Sequence, residues 1–190
     1  MAFKFEKCEI PGLLIVEADV FNDTRGFFIE TYQQSAFINA GIDKPIVQID
    51  HSRSKKNVVR GLHYQLNPMA QGKIVDVIDG EIFDVTVDLR KGSPSFGKWF
   101  GINLGIGQGK LLYIPEGFAH GVCALSETAD IIYYCTQVYA PEYQRGILWN
   151  DPELDITWPV KKPVLSDKDK QLPLLNQADN NFVYEKIINT

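Results

Sequence analysis

Three side chains that could move a proton and hold an anion stand close together between Asn57 and Lys73. His63 follows Arg60 by three residues and precedes Lys73 by ten. An imidazole takes and returns protons near neutral pH because its ordinary pKa lies there. Arginine and lysine are the residue types that bind phosphate or stabilise an oxyanion. This segment therefore predicts proton abstraction from an anionic substrate.

The other two histidines differ in their surroundings. His120 lies among glycine and polar residues, as His63 does, and Gly61 and Gly121 beside them indicate close backbone approach or a bulge. His51 has no such neighbours and is expected to be an ordinary residue with a satisfied hydrogen bond. No HxH pair occurs and no carboxylate stands at a short metal-ligand offset, so the sequence disfavours a metal centre.

Period-two alternation along a strand predicts which face each side chain is on, and it does so here for the residues around His63 and Tyr133. It places His63 on one face of its strand and Arg60 on the other, so a bulge or strong twist must re-aim Arg60 if both reach one site. It also places Tyr133 with Ile131 and Cys135, an inward-facing set. A phenol inside a barrel can serve as a general acid, although tyrosines in sheets more often only pack.

Most of the secondary-structure elements predicted to position these residues are strands. Alternating or β-branched runs separated by Gly and Pro turns occur throughout, and they predict an all-β antiparallel sandwich or barrel. The clearest strands are 74–78, 85–89, 111–114 and 131–138. The few helix signals are a short helix over 35–40 ended by Gly41, and a turn over 167–172 capped by Ser166.

Composition narrows the class of protein. A chain of 190 residues with 45% apolar side chains suits one domain, 1–190, with a polar and peripheral tail from about residue 177. The net charge of −5 argues against nucleic acid, and no apolar run could cross a membrane. Three cysteines without CxxC spacing, and no signal peptide, predict reduced thiols and a cytoplasmic location. Cys123 and Cys135 are expected in the core.

Together the motifs resemble the dTDP-4-dehydrorhamnose 3,5-epimerase family, the sugar-nucleotide epimerases of dTDP-L-rhamnose biosynthesis. The resemblance implies a cupin-like jelly-roll barrel and a homodimer that exchanges N-terminal strands. It also implies an isomerase that needs no metal or other cofactor. The segments that carry it are DTRGFFIE (23–30), VQIDHSRSKKNVVRGLHYQ (47–65), QGKIVDVIDGEIFDVTVDLRKGSPSFGKW (71–99), IPEGFAHGV (114–122), GILWNDPELDITWP (146–159) and LSDKD (165–169).

The resemblance implies a reaction at C3 and C5 of dTDP-4-dehydro-6-deoxy-D-glucose. The C4 ketone acidifies the protons on both carbons, and removing either one gives an enolate. By resemblance His63 is the base, Asp169 orients it, Tyr133 is the acid on the opposite face, and Lys73 stabilises the enolate oxygen.

The resemblance also implies a set of substrate-binding residues, with Arg60 at the pyrophosphate and the first two members of the set close to the nucleotide across a dimer. Two members depart from the family pattern, because Gln144 stands where glutamate is common and Ile49 where aspartate is common. The set comprises Arg25, Glu30, Gln48, Ile49, Asp50, Arg60, His120, Tyr139, Gln144 and Lys168.

Three alternatives remain open from the residues. Related enzymes invert a single carbon, C3 or C5, of another nucleotide-linked 4-keto-6-deoxy sugar. A barrel that only binds a sugar nucleotide would need no acid and base, which the set of His63, Asp169 and Tyr133 argues against. A metal-dependent cupin dioxygenase is the third alternative, and metal analysis would test it.

Overall fold

The computed structural model describes residues 2–185, a range that is built almost entirely of strands. Within that range there are thirteen strands, one short α-helix and two 3-10 turns, Asp169–Gln171 and Leu175–Gln177. The elements are β1 (Phe3–Lys7), β2 (Leu14–Ala18), β3 (Val20–Asp23), β4 (Gly26–Ile29), α1 (Gln34–Asn39), β5 (Gln48–Lys55), β6 (Val59–Gln65), β7 (Lys73–Asp79), β8 (Glu81–Asp88), β9 (Trp99–Gly105), β10 (Lys110–Ile114), β11 (Phe118–Ala124), β12 (Thr128–Cys135) and β13 (Gln144–Gly146).

The strands form two main sheets and a separate hairpin. One sheet has six strands in the order β1-β2-β10-β7-β12-β5, and the other has five in the order β13-β6-β11-β8-β9. Among residues 2–185, strands β3 and β4 pair only with each other. Neighbouring strands are antiparallel throughout both sheets. The predicted antiparallel all-β fold is confirmed.

Alternation along the strands divides the apolar side chains between two layers. On β7, Val75 and Val77 face the core between the two sheets, where they meet Ile82 and Leu104 of the five-stranded sheet. Ile74, the residue before Val75, packs on the opposite face in a second cluster. Complete burial of each such side chain stabilises the fold by about 1.5–3 kcal/mol.

Helix α1 covers that second cluster. The side chain of Gln33 accepts a hydrogen bond of 2.7 Å from the Ala36 amide, which caps the first turn. Gly41, at φ 89°, follows the last turn and takes the left-handed conformation that glycine adopts easily. Phe37 is fully buried against Phe3. The helix agrees with the predicted 35–40 within a residue, and no helix in residues 2–185 is long and apolar enough to span a bilayer.

The described part of the tail packs more closely than the sequence suggested. Phe182 is buried and its ring lies 5.9 Å from that of Tyr64. Lys91 binds the segment through its backbone, with the Lys91 amide donating to Phe182 and its carbonyl accepting from Tyr184. Residues 178–185 are therefore anchored to the barrel and differ from the expected peripheral tail. Residues 186–190 of that predicted tail lie outside the described range.

Candidate active site

A cavity of about 590 Å³ opens between the two sheets, next to the apolar core. Its walls come from β6 and β11 of one sheet, from β5, β7 and β12 of the other, and from the segment 164–169. Ten of the fourteen predicted site residues line it: Asp50, Arg60, His63, Lys73, His120, Tyr133, Tyr139, Gln144, Lys168 and Asp169.

His63 and Asp169 form a hydrogen-bonded pair in the cavity wall. Nε2 of His63 lies 2.7 Å from Oδ1 of Asp169. The Asp169 amide donates to Oγ of Ser166 at 3.0 Å, so Ser166 binds the first residue of the 3-10 turn Asp169–Gln171, although the cap position of that turn is Lys168. Burial alone would raise the pKa of Asp169, but the hydrogen bond and charge of His63 outweigh it and the pKa is lowered. The aspartate is therefore an anion that fixes the imidazole by Nε2.

Tyr133 faces the same cavity from the other sheet. Its neighbour Cys135 also lines the cavity and Ile131 is buried in the core, so the predicted inward face is confirmed. Burial raises the pKa of the Tyr133 phenol, which keeps the hydroxyl protonated. The phenol therefore lines the cavity in its neutral, protonated form, and its role as the acid stays a prediction.

Lys73 begins β7 and brings a cation to the six-stranded side of the cavity. Burial lowers the pKa of this lysine, while Cys135 and the carboxylates of Asp84 and Asp50 act in the opposite direction. A charge in such a poorly solvated position interacts strongly with any anion that forms beside it.

Arg60 reaches the cavity because the ladder between β6 and β11 is irregular. His120 pairs with His63, but the next paired residues are Val122 and Arg60, so the register shifts at this point. Gly61 permits the shift: its φ is 117°, and an added Cβ would lie 2.6 Å from the Gly121 Cα. The predicted bulge near Gly61 is confirmed.

The guanidinium of Arg60 is free for an anionic ligand. Nε donates to Oγ of Ser54 at 2.9 Å, and a terminal nitrogen donates to the Arg53 carbonyl at 3.2 Å. No carboxylate pairs with Arg60 among residues 2–185. Its charge is therefore held in place by neutral partners and remains available to phosphate oxygens.

A polar cluster forms one rim of the cavity. The Tyr139 hydroxyl donates to Oε1 of Gln144 at 2.8 Å, and the ammonium of Lys168 binds the same oxygen. Gln48 supports this rim from behind, since its Oε1 accepts from the Tyr139 amide at 2.8 Å and its Nε2 donates to Asp50. The predicted residue Gln48 thus contacts cavity residues without lining the cavity itself.

Arg25, Glu30 and Ile49 are not brought to the cavity within one chain. Arg25 lies at the turn of the β3–β4 hairpin, highly exposed and bonded to Asp23. Glu30 follows β4 outside the cavity lining. Ile49 alternates with Asp50 along β5, so it faces away from the cavity and is 61% exposed. Substrate contacts by these three residues stay a prediction.

Comparison with known proteins shows which family this chain belongs to. The family model described as dTDP-4-dehydrorhamnose 3,5-epimerase matches residues 7–177. This chain belongs to that family. A Shigella flexneri protein of the same name is 54% identical over 164 residues, which is 86% of this chain and 91% of that protein. The chain is thus an isomerase of the epimerase type.

Solved structures of epimerases agree with the fold. The dTDP-6-deoxy-D-glucose-3,5-epimerase of Legionella pneumophila, in complex with dTDP-4-keto-L-rhamnose, has a TM-score of 0.93 and 42% identity, covering 97% of this chain and all of that one. A 3'-monoepimerase from Streptomyces bikiniensis, in complex with dTDP-quinovose, has a TM-score of 0.85 and 32% identity, covering 89% and 86%. The cupin-like jelly roll predicted from the family resemblance is confirmed.

One cavity-associated residue of this epimerase was not found from sequence. Asp84 lies on β8 behind His120, with Oδ2 2.8 Å from Nε2 of the histidine, and it is fully buried. The sequence of strand β8 did contain a signal that could have identified Asp84. Asp84 and Thr86 are polar at positions where the inward face of the barrel calls for apolar residues.

Each of the three histidines of this epimerase is hydrogen-bonded to an aspartate of its own. In the part of the chain that the structure describes, no three side chains of His, Cys, Asp or Glu gather as a metal site would require. His51, outside the cavity, is hydrogen-bonded to Asp130 at 2.8 Å, as expected of an ordinary surface residue. Activity without metal or other cofactor stays a prediction.

Proposed function

We propose that this protein inverts C3 and C5 of dTDP-4-dehydro-6-deoxy-D-glucose to give dTDP-4-dehydro-L-rhamnose. The observation that carries the proposal is the opposed placement of a base and an acid. His63, oriented by Asp169, belongs to the five-stranded sheet, and Tyr133 belongs to the six-stranded sheet. A sugar ring between the sheets meets a proton acceptor on one face and a proton donor on the other, as inversion requires.

The chemistry follows from the acidity that a C4 ketone gives to its neighbours. His63 takes the proton from C3 or C5, and the electron pair moves to the C4 oxygen as an enolate. Lys73 stabilises that negative oxygen, and Tyr133 returns a proton to the opposite face of the carbon. The raised pKa of Tyr133 supports this role, because the phenol is still protonated when the enolate forms.

The nucleotide end is assigned to the cationic and aromatic residues around the opening. Arg60, which no carboxylate neutralises among the described residues, would bind the pyrophosphate. Lys168, Gln144 and Tyr139 form the rim through which the nucleotide would extend. Arg25 and Glu30 would contribute from a second copy of the chain.

A homodimer is the second part of the proposal. The β3–β4 hairpin joins neither main sheet, and it exposes three aromatic side chains that burial against another copy would cover: Phe21, Phe27 and Phe28. Strand β5 has an unpaired edge at the side of the six-stranded sheet. Light scattering on the purified protein should give twice the mass of the chain, and a monomer would contradict this part.

The single domain over 1–190 and a cytoplasmic location complete the proposal. One cooperative unfolding transition by calorimetry and fluorescence is expected for a single domain. Fractionation of the source cells should recover the protein with cytoplasmic markers. Two separated transitions, or recovery with the envelope, would contradict these two statements.

Incubation with dTDP-4-keto-6-deoxyglucose in deuterium oxide, followed by NMR, tests the reaction. Deuterium at both C3 and C5 with inverted product supports the double epimerase. Label at one carbon would instead assign single-centre inversion, the activity named for the 32% identical Streptomyces bikiniensis protein. No exchange in protein that binds dTDP would leave a sugar-nucleotide-binding barrel. Metal analysis of the active protein tests the dioxygenase alternative, since activity at less than one metal ion per ten chains is inconsistent with it.

A further inference from the structure

We infer that Asp84 is a positioning residue for the epimerase reaction, which it serves by fixing the ring of His120 inside the cavity. The inference rests on the proposed function, because the effect it predicts is on catalysis of that reaction. It concerns a carboxylate that lies behind the cavity wall and does not line the cavity.

The position of Asp84 follows from the register of the five-stranded sheet. Strand β8 pairs with β11 so that Asp84 lies opposite Val122 and Thr86 lies opposite His120. The carboxylate is fully buried, and its Oδ2 lies 2.8 Å from Nε2 of His120. His120 is 6% exposed and lines the cavity, so this buried pair connects the interior of the barrel to the reaction space.

The hydrogen bonding of Asp84 is unlike that of a structural carboxylate in the same strand. Asp88, also on β8 and fully buried, accepts hydrogen bonds from the Arg90 backbone and side chain and from Ser93 and Ser95. Asp84 binds only His120, and its Oδ1 has no partner among residues 2–185. Burying a carboxylate with a single hydrogen-bond partner costs several kcal/mol of folding free energy, which the nearby charge of Lys73 offsets in part. A structural hydrogen-bond network of the Asp88 kind therefore does not explain its presence.

The pair determines which nitrogen of His120 faces the reaction space. A carboxylate accepts hydrogen bonds and donates none, so Nε2 of His120 carries the proton that lies toward Asp84. The ring cannot turn over without breaking this bond and leaving the carboxylate without its partner. Nδ1 is therefore the nitrogen left for substrate.

His120 lies among the groups that move protons. Its Cα is paired directly with that of His63 on β6, and its ring centroid lies 6.0 Å from that of Tyr133, at 75° between the ring planes. The cavity thus has two histidine–carboxylate pairs in adjoining strands, His63–Asp169 and His120–Asp84. A change in the orientation of His120 should alter the catalytic step more than nucleotide binding.

A double-mutant cycle tests whether Asp84 acts through His120. The variants are Asp84→Asn, His120→Asn and the double variant, with kcat and KM measured on dTDP-4-keto-6-deoxyglucose well below any alkaline fall in activity. Asp84→Asn should lower kcat about 10- to 100-fold and leave KM within about threefold. The double variant should match His120→Asn within about twofold, because at this pH the charge of Lys73, which Asp84 favours, is retained and only the hydrogen bond to the imidazole is lost.

Asp130→Asn is the matched control. It breaks a histidine–carboxylate contact of the same length outside the cavity, His51 to Asp130, together with the ion pair between Asp130 and Arg53. Its kcat should stay within about twofold of wild type, whatever its effect on stability. Unchanged kcat in Asp84→Asn, or losses that multiply in the double variant, would overturn the inference. A wild-type protein without epimerase activity would instead refute the proposed function.

A measurement on the unaltered protein covers the case in which Asp84→Asn does not fold. Long-range ¹H–¹⁵N NMR, assigned by loss of the signals in His120→Asn, reports which ring nitrogen carries a proton. A proton on Nε2 is expected. A ring protonated on Nδ1 alone is incompatible with the bond to Asp84 and would overturn the inference.

Discussion

Nε2 of His63 lies 2.7 Å from Oδ1 of Asp169, although 106 positions separate the two residues in the chain. Because the histidine is the proposed base, His63→Ala should abolish deuterium exchange at C3 and C5. Binding of dTDP, measured by calorimetry, should stay within about threefold of wild type. Asp169→Asn should lower kcat by about 10²-fold or more, since the imidazole loses its orienting anion. His51→Ala serves as the control, and substantial turnover in His63→Ala would refute the base assignment.

Tyr133→Phe should separate proton removal from inversion. His63 can still take a proton and return one to the same face, so deuterium should enter unconverted substrate. Epimerised product should form about 10²-fold more slowly or worse, because the opposite face has lost its donor. Tyr134→Phe is the matched control: its hydroxyl contacts Thr31 at 3.0 Å, and the residue is absent from the cavity lining. Equal loss of exchange and inversion in Tyr133→Phe would contradict the assigned role.

Lys73→Met should make the protein more stable and less active. Burial lowers the pKa of Lys73, so its charge costs folding free energy that methionine does not, and Tm should rise by about 2–4 °C. Loss of the enolate-stabilising cation should lower kcat about 10²- to 10³-fold. Calorimetry and steady-state kinetics check the two effects, and a fall in Tm together with unchanged kcat would refute both.

The lowered pKa of Lys73 also determines the direction in which folding stability and activity change with pH. Between the lowered folded pKa and the ordinary value the unfolded chain binds more protons, so this residue makes wild-type stability rise with pH in that interval. Lys73→Met should lack that component. Activity has the opposite trend: it should fall as pH rises through the lowered pKa, because only the ammonium stabilises the enolate. Activity undiminished to the pH at which exposed lysines titrate would contradict this.

Asp76→Asn should change how stability varies with pH. Burial raises the pKa of Asp76 from 3.8 to about 6, although a hydrogen bond from Thr31 acts the other way. Its contribution to stability is therefore fully present below pH 3.8 and is lost as pH rises through about 6. The variant avoids that loss, so its Tm should exceed that of wild type by about 2–4 °C at pH 8. The difference should disappear toward pH 4, whereas a difference independent of pH, or one also seen in the exposed control Asp79→Asn, would contradict it.

Much of the fold follows from local pattern, because alternation and turn residues act over a few positions. The strands around Val75 and Val85 and the helix before Gly41 were predicted on that basis. The end of β12 was not. The apolar pattern continues to Val138, but the strand ends at Cys135, where the Thr136 amide donates to the Gly72 carbonyl instead. Pairing between distant segments decided that boundary.

The site residues likewise divide into those that the sequence predicted and those that depend on tertiary structure. Residue type and spacing identified His63, Arg60 and Lys73, and alternation along the strand placed Tyr133 inward. The resemblance added Asp169 and assigned Tyr133 as the acid. Asp84 was not predicted, because its contact with His120 depends on the register of β8 against β11, and no local sequence pattern specifies that register. The burial of Phe182 was not predicted for a related reason: the apolar run 182–184 is too short to show a period, and the contact of Phe182 with Tyr64 is tertiary.

The division of the reacting groups between two sheets gives residues far from the cavity an influence on its chemistry. The apolar layer between the sheets, which includes Val77 and Leu104, sets how far apart His63 and Tyr133 stand, although neither of those core residues lines the cavity. Removing methylene groups there leaves a cavity into which the surrounding sheets relax only in part, so the spacing of the two groups changes without altering either reacting side chain. The spacing of the proposed base and acid is therefore a property of the core as well as of the cavity residues.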